Sequence, residues 1–554
     1  MMIKKADIKH ILGEVPLTAE FYWQIRQAGK PVSKNFSMRQ TGRMLPEWVS
    51  QANQVQKNSR LVDGKRVLIF ATLRYWIEHA ALMGVALAGQ GHRVSFAYLP
   101  YANWHAALNR FDIRRNNAYA KSILMPAADL IDPVSFLDRD GSKVNLPSAI
   151  KEEVQQVSIR DVQYTLNNEH VDADSQLYKL RTARNMQAAK AALAWLDENK
   201  PDVLVTPNGS ILEMGAVYQV ARYMEIPVVT YEFGEQHDRI WLALDAEVMK
   251  QDTSQLWGAK KNTSLTDHQR DKIRQLYASR KSADLWENFS RRWQGVPGKG
   301  GEKVRHELGL DARPVILLAA NVIGDSLTLG RQVFTESMTE WLKQTTLKFA
   351  QRTDAQLVVR IHPGERYIQG PSVADVINSV LPAGAGNIHL VPADAPVNTY
   401  DLVEFANLGL VYTTTVGMEM AMSGVPVIVI GETHYRGKGF TLDPASWENY
   451  EEMLDRVLTS PSEHALSRQQ VDQAWNYAYR FFFDYPMPFP WHLLNFREEI
   501  KTWPVSRVLS REGQEVYGET FQLLVGQPRD WNQTALPEVI NAPSSALGYE
   551  ETAR

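Results

Sequence analysis

The chain contains no cysteine among its 554 residues. That absence excludes disulfides, thiolate zinc sites and a cysteine nucleophile. No stretch approaches the roughly 18 consecutive apolar residues that a membrane-spanning helix needs, so no such segment is expected. The opening run MMIKKADIKHILGEVPL has basic residues but lacks the apolar core and small-residue cleavage site of a secretory signal. A strong charge of one sign is missing too. The formal net charge is -3, which does not recommend a whole-surface nucleic-acid or membrane binder, so any basic site has to be local. Low-complexity bias is absent and the composition is that of a globular protein. These exclusions are compatible with a cytoplasmic location.

What is present is a chain long enough for two cores, punctuated by repeated strand–helix units. Residues 1–60 are polar and mixed, with Met44, Leu45, Trp48 and Val49 as an apolar helix face. Arg66–Phe70 reads as a strand, Tyr75–Gln90 as a helix ended by Gly89 and Gly91, and His92–Tyr98 as the next strand. This is the usual opening of a parallel α/β unit. Lys200-Pro201-Asp202 then introduces the strand Val203–Thr206, a turn, a helix from Leu212 and the strand Ile226–Thr230. That strand empties into Tyr231–Asp238, a loop rich in titratable groups. Loops at the carboxyl edge of a parallel sheet are where ligands bind. Arg74, Glu78 and His79 are at the corresponding edge of the first strand, with capping and surface pairing as their plainer reading.

A glycine-rich patch, Gly295 to Gly301, reads as a linker. After it come the strand Pro314–Ala320, a polar loop from Asn321 to Gly330, a helix over 333–352, and the strand Gln356–Ile361 ending at His362-Pro363. Asn387–Val391 is a further strand. The organisation is therefore a lead-in (1–60), a Rossmann-like unit (61–300), a second Rossmann-like unit (301–465) and a helical segment with a tail (466–554). The aromatic and proline-rich run from Phe481 to Trp491 is expected to cross back onto the first unit, with a membrane interface as the alternative. The final polar stretch, with Pro537 and Pro543, is loosely ordered by composition. The units around Thr206 and Thr413 echo each other: strand, polar turn, a helix starting near Glu213 or Glu419, then a strand around Pro227 or Pro426.

The chemistry concentrates between Leu410 and Pro444. There a strand runs into Thr413, Thr414, Thr415 and Gly417, a short helix carries Glu419, and a loop holds Tyr435, Arg436, Gly437, Lys438 and Gly439. A helix start with free N–H groups, followed by two cations and permissive glycines, suits an anion such as a phosphate. His362, at a strand end fixed by Pro363, adds a donor for a phosphate oxygen. Each feature alone has a structural reading: a cap, a dipole partner or a charged surface loop. Asp138-Arg139-Asp140 is followed by Gly141 and Ser142 and reads as a turn rather than a metal site.

Taken in order, these pieces resemble a known family. Thr414–Thr441 (TTVGMEMAMSGVPVIVIGETHYRGKGFT) resembles the C-terminal signature of the capsule polysaccharide synthesis family, the Kdo-transferase-like glycosyltransferases of the GT-B fold, and Arg360-Ile361-His362-Pro363 looks like its His-Pro motif. The resemblance spans about 310–445, with its diagnostic motifs in two short pieces of that half. It implies two facing Rossmann-like domains, the acceptor on the first and the nucleotide sugar on the second. Arg360, His362, Thr414, Thr415, Gly417, Glu419, Tyr435, Arg436 and Lys438 would then form the donor site, with Glu419 at the ribose and Tyr435 and Lys438 closing over the donor. Donors and cations arranged around a leaving nucleotide phosphate can replace a metal, so the expectation is no metal and no cofactor, the nucleotide sugar (CMP-linked or another) being a substrate. Glu235, His237 and Asp238 are the candidates for acid, base or nucleophile. The expected partners are a nucleotide sugar and a glycan or glycolipid acceptor, with no nucleic acid and with peripheral association at the inner face of a membrane left open. A sugar-nucleotide epimerase or hydrolase, or a binding protein without turnover, are the alternatives on the same scaffold.

Overall fold

The computed structural model describes residues 5–58, 64–139, 141, 143–289 and 294–532. Asp140 and Ser142, and the polar tail with Pro537 and Pro543, lie outside the described residues. Two sheets organise the chain. The first holds β1 (Arg66–Thr72), β2 (Arg93–Leu99), β3 (Ile131–Ser135), β4 (Val203–Pro207), β5 (Val228–Glu232), β6 (Arg239–Leu244) and β12 (Met487–Pro488). The second holds β7 (Val315–Ala319), β8 (Gln356–Arg360), β9 (Ile388–Val391), β10 (Leu408–Val411) and β11 (Val427–Val429).

Their strand orders are β12-β6-β5-β4-β1-β2-β3 and β11-β10-β7-β8-β9. All pairings within the second sheet are parallel. In the first, β1 to β5 pair in parallel, while β6 and β12 add antiparallel strands at one edge. Each parallel set has the same sequence of crossovers, third-second-first-fourth-fifth, which is the doubly wound, Rossmann-like order. The protein is thus an α/β protein with two parallel-sheet domains.

The central strands are continuous apolar runs because helices cover both of their faces. In β7 the period-two alternation is explicit. Val315, Leu317 and Ala319 join one apolar cluster, while Ile316 and Leu318 join another on the opposite face. The lead-in helix Arg39–Asn58 docks through Leu45 and Trp48, both fully buried, with Met44 packed at the edge of the same core.

The C-terminal segment returns to the first sheet. After the helix Arg468–Tyr479 a π-turn spans Arg480–Asp484, and β12 then pairs with β6 through Met487↔Ile240 and Pro488↔Arg239. Phe481, Phe489 and Trp491 are buried. The aromatic run is therefore a crossover, and the membrane-interface alternative for it is corrected: its rings are spent on packing. β3, β6 and β12 add strands beyond those the sequence pattern predicts, and Tyr231–Asp238 is not all loop: β5 continues through Glu232 and β6 begins at Arg239. No helix among the described residues is long and apolar enough to cross a membrane.

Candidate functional site

In an open parallel sheet the crevice for a ligand forms at the carboxyl edge, where neighbouring crossovers leave in opposite directions. In the second sheet that point lies between β7 and β10. There Asn321, just beyond β7, accepts a hydrogen bond from the Thr413 N–H, just beyond β10, at 3.1 Å. A cavity of about 470 Å3 opens over this contact. Its walls come from both sheets: Asn321, His362 and Thr413–Thr415 from the second, Phe233–Gln236 and Arg239 from the first, and Phe481 and Phe482 from the crossover.

The second-sheet wall is made of fixed polar groups. Thr413 is buried and its Oγ1 has no hydrogen-bond partner, while its carbonyl accepts from Thr433 Oγ1 at 3.2 Å. From below, the buried Tyr435 hydroxyl donates to the Thr414 carbonyl at 2.6 Å. That close fit explains Gly417: a Cβ there would sit 2.5 Å from the Tyr435 hydroxyl. His362 caps the 3-10 turn Pro363–Tyr367, its Nδ1 accepting from the Gly364 N–H at 3.0 Å. With Nδ1 an acceptor, the ring proton is on Nε2, which makes Nε2–H the donor suited to a phosphate oxygen.

Two further residues here were not singled out from the sequence. Arg331 is buried, on the cavity wall, and its guanidinium donates to the Met249 carbonyl. Burial pulls its pKa below the usual arginine range. His434 is buried and stacked face to face on Phe481, with centroids 3.7 Å apart and planes 6° apart. The Tyr477 hydroxyl donates to the His434 carbonyl at 2.5 Å, so Nδ1, 3.0 Å from the same hydroxyl oxygen, is the donor in that contact. Nε2 is then an acceptor, and it is buried without a partner. Burial, reinforced by Lys438 and Arg331, holds the imidazole pKa well below its ordinary value, so the ring is neutral. His434 sits beside Tyr435 inside the stretch already noted, but nothing in the spacing marks it. Its role depends on Phe481 and Tyr477, which come from the crossover.

The first-sheet wall carries Glu235, the one of the three acid–base candidates on the cavity. His237 and Asp238 are not on that wall. His237 Nδ1 lies 3.2 Å from the Asn495 amide, and Asp238 accepts from Asn288 while its backbone carbonyl receives the Phe489 N–H at 2.9 Å. In the turn that leads into β6, their side chains face Asn495 and Asn288. Glu232, at the end of β5, is a further carboxylate in this stretch. It accepts from its neighbour Phe233 N–H at 3.0 Å and from Asn208 at 3.3 Å, and burial raises its pKa to about 7.

Several expected donor-site residues do other work. Arg360 is buried and donates to the Pro392 carbonyl at 2.6 Å, with burial lowering its pKa to about 10. It braces β8 against the end of β9. Glu419, expected at a ribose, is buried in an ion pair with Arg280 and accepts from the Tyr400 hydroxyl at 2.8 Å. Arg280 lies over the Phe482 ring, 4.5 Å from its centroid, so this pair stands one layer behind the cavity wall. Tyr435 supports the threonine turn rather than closing over it. Arg436 donates to the carbonyls of Val429 and Pro444 and staples its own loop. Lys438 contacts Ser254 Oγ at 3.3 Å, and its pKa is lowered by burial. Among the described residues no group of three or more His, Asp or Glu side chains is placed to hold a metal ion. Asp138, the described member of the aspartate pair, is engaged by Lys121 and Asn117.

No known family profile matches the chain, and no curated protein matches it. Among solved structures, it is similar to the β-Kdo 2,4 transferase KpsC of Thermosulfurimonas dismutans, at 14% identity over 52% of this chain and 82% of that one, with a TM-score of 0.32. A UDP-GlcNAc 2-epimerase from Neisseria meningitidis, bound to UDP-GlcNAc, is 14% identical over 74% of this chain and 97% of its own, with a TM-score of 0.25. The calicheamicin glycosyltransferase CalG4 is 14% identical over 84% and 100%, with a TM-score of 0.22. Likeness at this level transfers no role to any residue, so the roles below rest on this chain's own side chains.

Proposed function

We propose that the protein is a glycosyltransferase that moves a sugar from a nucleotide-sugar donor to a glycan or lipid-linked acceptor, in the synthesis of a capsule or surface polysaccharide. The observation that carries this reading is the two-walled cavity over the β7/β10 switch point. One wall offers fixed hydrogen-bond donors for phosphate, and the opposite wall presents a carboxylate, Glu235. His362 Nε2–H and the Thr413 and Thr415 hydroxyls bind the donor phosphates, and Arg331 adds positive charge. As the glycosidic bond to the nucleotide breaks, negative charge grows on the leaving phosphate oxygens, where preorganised donors act most strongly. Glu235 takes the proton of the acceptor hydroxyl as it attacks the anomeric carbon. His434, neutral and with Nε2 as an acceptor, receives a hydrogen bond from a donor group of the ligand.

The test is a thermal-shift screen with CMP-, UDP-, GDP- and dTDP-linked sugars, followed by product analysis. A ligand that binds only the native state raises the apparent Tm. The expected result is a shift with one nucleotide class and, on adding acceptor, release of the nucleotide with sugar transferred. Epimerised donor or free sugar as the product would overturn transfer in favour of an epimerase or hydrolase. Binding without any product would leave a binding protein.

A further inference from the structure

The apolar surface left uncovered in this fold is concentrated in the two helices that open the described chain. The helix Lys5–Glu14 and the helix Thr18–Ile25 pack on the helix Arg110–Leu124. Their inward side is sound: Ala19 and Trp23 are buried, and Tyr22 meets Phe111 edge-on at 5.5 Å. Lys9 pairs with Asp112 at 2.8 Å and Arg114 with Glu20 at 2.5 Å, fastening the pair to that helix.

The outward side is apolar. Ile8 and Ile11 form one stripe at helical spacing on the first helix and Phe21 and Ile25 another on the second, with Val15 and Leu17 adjoining them in the turn between the helices. These six are between 46% and 74% exposed. A folded chain does not hold large apolar side chains in water as paired stripes without something to cover them.

The charge around the stripes says what covers them. Of the acidic residues on these helices whose side chains are described, Glu14 and Glu20 are neutralised by Arg110 and Arg114. Arg26, Lys30 and Lys34 follow immediately and are exposed, with no carboxylate within ion-pair distance among the described residues. A two-fold contact with a second copy would press these uncompensated cations towards one another. An anionic bilayer surface satisfies both features at once, taking the apolar stripes into its acyl boundary and the cations at its headgroups.

We propose that the helices Lys5–Glu14 and Thr18–Ile25 form a membrane-docking element for an anionic lipid surface, with Arg26, Lys30 and Lys34 as its electrostatic rim. The element lies on the first α/β unit, and its action does not depend on the transfer reading.

The experiment is co-sedimentation of the full chain with phosphatidylcholine vesicles, with and without phosphatidylglycerol, at low and high salt. The wild type is expected to bind the anionic vesicles at least tenfold more tightly than the neutral ones, and less tightly at high salt. The double variant Ile11→Glu/Phe21→Glu is expected to lose at least tenfold on anionic vesicles. Arg26→Gln/Lys30→Gln/Lys34→Gln is expected to lose on the order of fivefold per cation there, and little on neutral ones. All the positions are exposed, so Tm and far-UV circular dichroism should match the wild type, which separates lost docking from lost folding. Absence of wild-type binding to anionic vesicles overturns the proposal. Unchanged binding by the double variant overturns it as well, as does a concentration-dependent dimer that the double variant abolishes.

Discussion

The two α/β units share a skeleton and differ in what stands over its switch point. In both, the fourth strand of the unit ends in a polar turn and leads to a helix with a glutamate in its first turn. In both, that glutamate is buried against an arginine: Glu213 with Arg181 at 2.9 Å, and Glu419 with Arg280. In the first unit Arg181 also pairs with Asp161 at 3.0 Å and donates to the Trp104 carbonyl at 3.2 Å, while Asn185 donates to Asp161 at 2.7 Å. There the guanidinium is fully engaged, one arginine held between two buried carboxylates. In the second unit the equivalent pair has retreated behind Phe482, and the turn presents Thr413–Thr415 to a cavity. One layout can therefore close an edge as structure or open it as a site, and the glutamate position alone does not say which.

The largest effects should separate chemistry from binding. Glu235→Gln is expected to lower turnover by about 10²–10⁴-fold while leaving the nucleotide-induced rise in Tm intact, read by initial rates beside thermal shift. A loss of both would place Glu235 in donor binding instead. Next, Arg181→Ala strands Asp161 and Glu213 as buried charges. It should cost about 3–5 kcal/mol by denaturant unfolding, with no change in nucleotide Kd at temperatures where the variant is folded. A matching fall in affinity would mean that the first unit's edge is also a donor site.

His362→Ala removes one hydrogen bond to a charged phosphate. By calorimetric titration it should weaken nucleotide binding by about 10- to 100-fold. Glu232 gives a test in pH. Its native pKa is raised from 4.5 to about 7, so between those values the native state holds a proton that the unfolded chain has released. Stability from this group is full below pH 4.5 and declines as pH rises to about 7. Glu232→Gln should flatten that slope in chemical denaturation followed against pH, and an unaltered slope would remove Glu232 as its source. The smallest change is Thr413→Val, expected to weaken nucleotide affinity by about two- to tenfold.

The alternation of apolar runs and turn residues made most parallel strands legible in the sequence, along with both Rossmann-like units and the crossover. β6 escaped because its register is antiparallel and it follows a polar loop without a helix between. His237 and Asp238 do lie in the loop between β5 and β6, but their side chains meet Asn495 and Asn288 rather than the cavity, contacts far away in sequence that no local pattern marks. Within the site, His362 and the threonine turn were legible from strand ends. The partner of Glu419 was not: Arg280 lies in the helix Asp267–Ser282, far upstream, and only tertiary packing brings it there. His434 and Arg331 became visible for the same reason, through contacts with the crossover and with Met249.

The most direct test is a calorimetric titration of wild type, His362→Ala and Arg181→Ala with the nucleotide sugar that shifts Tm most. The account predicts a single binding event, about 10- to 100-fold weaker in His362→Ala and unchanged in Arg181→Ala. Equal affinity for wild type and His362→Ala would contradict the placement of the donor phosphates over the β7/β10 switch point.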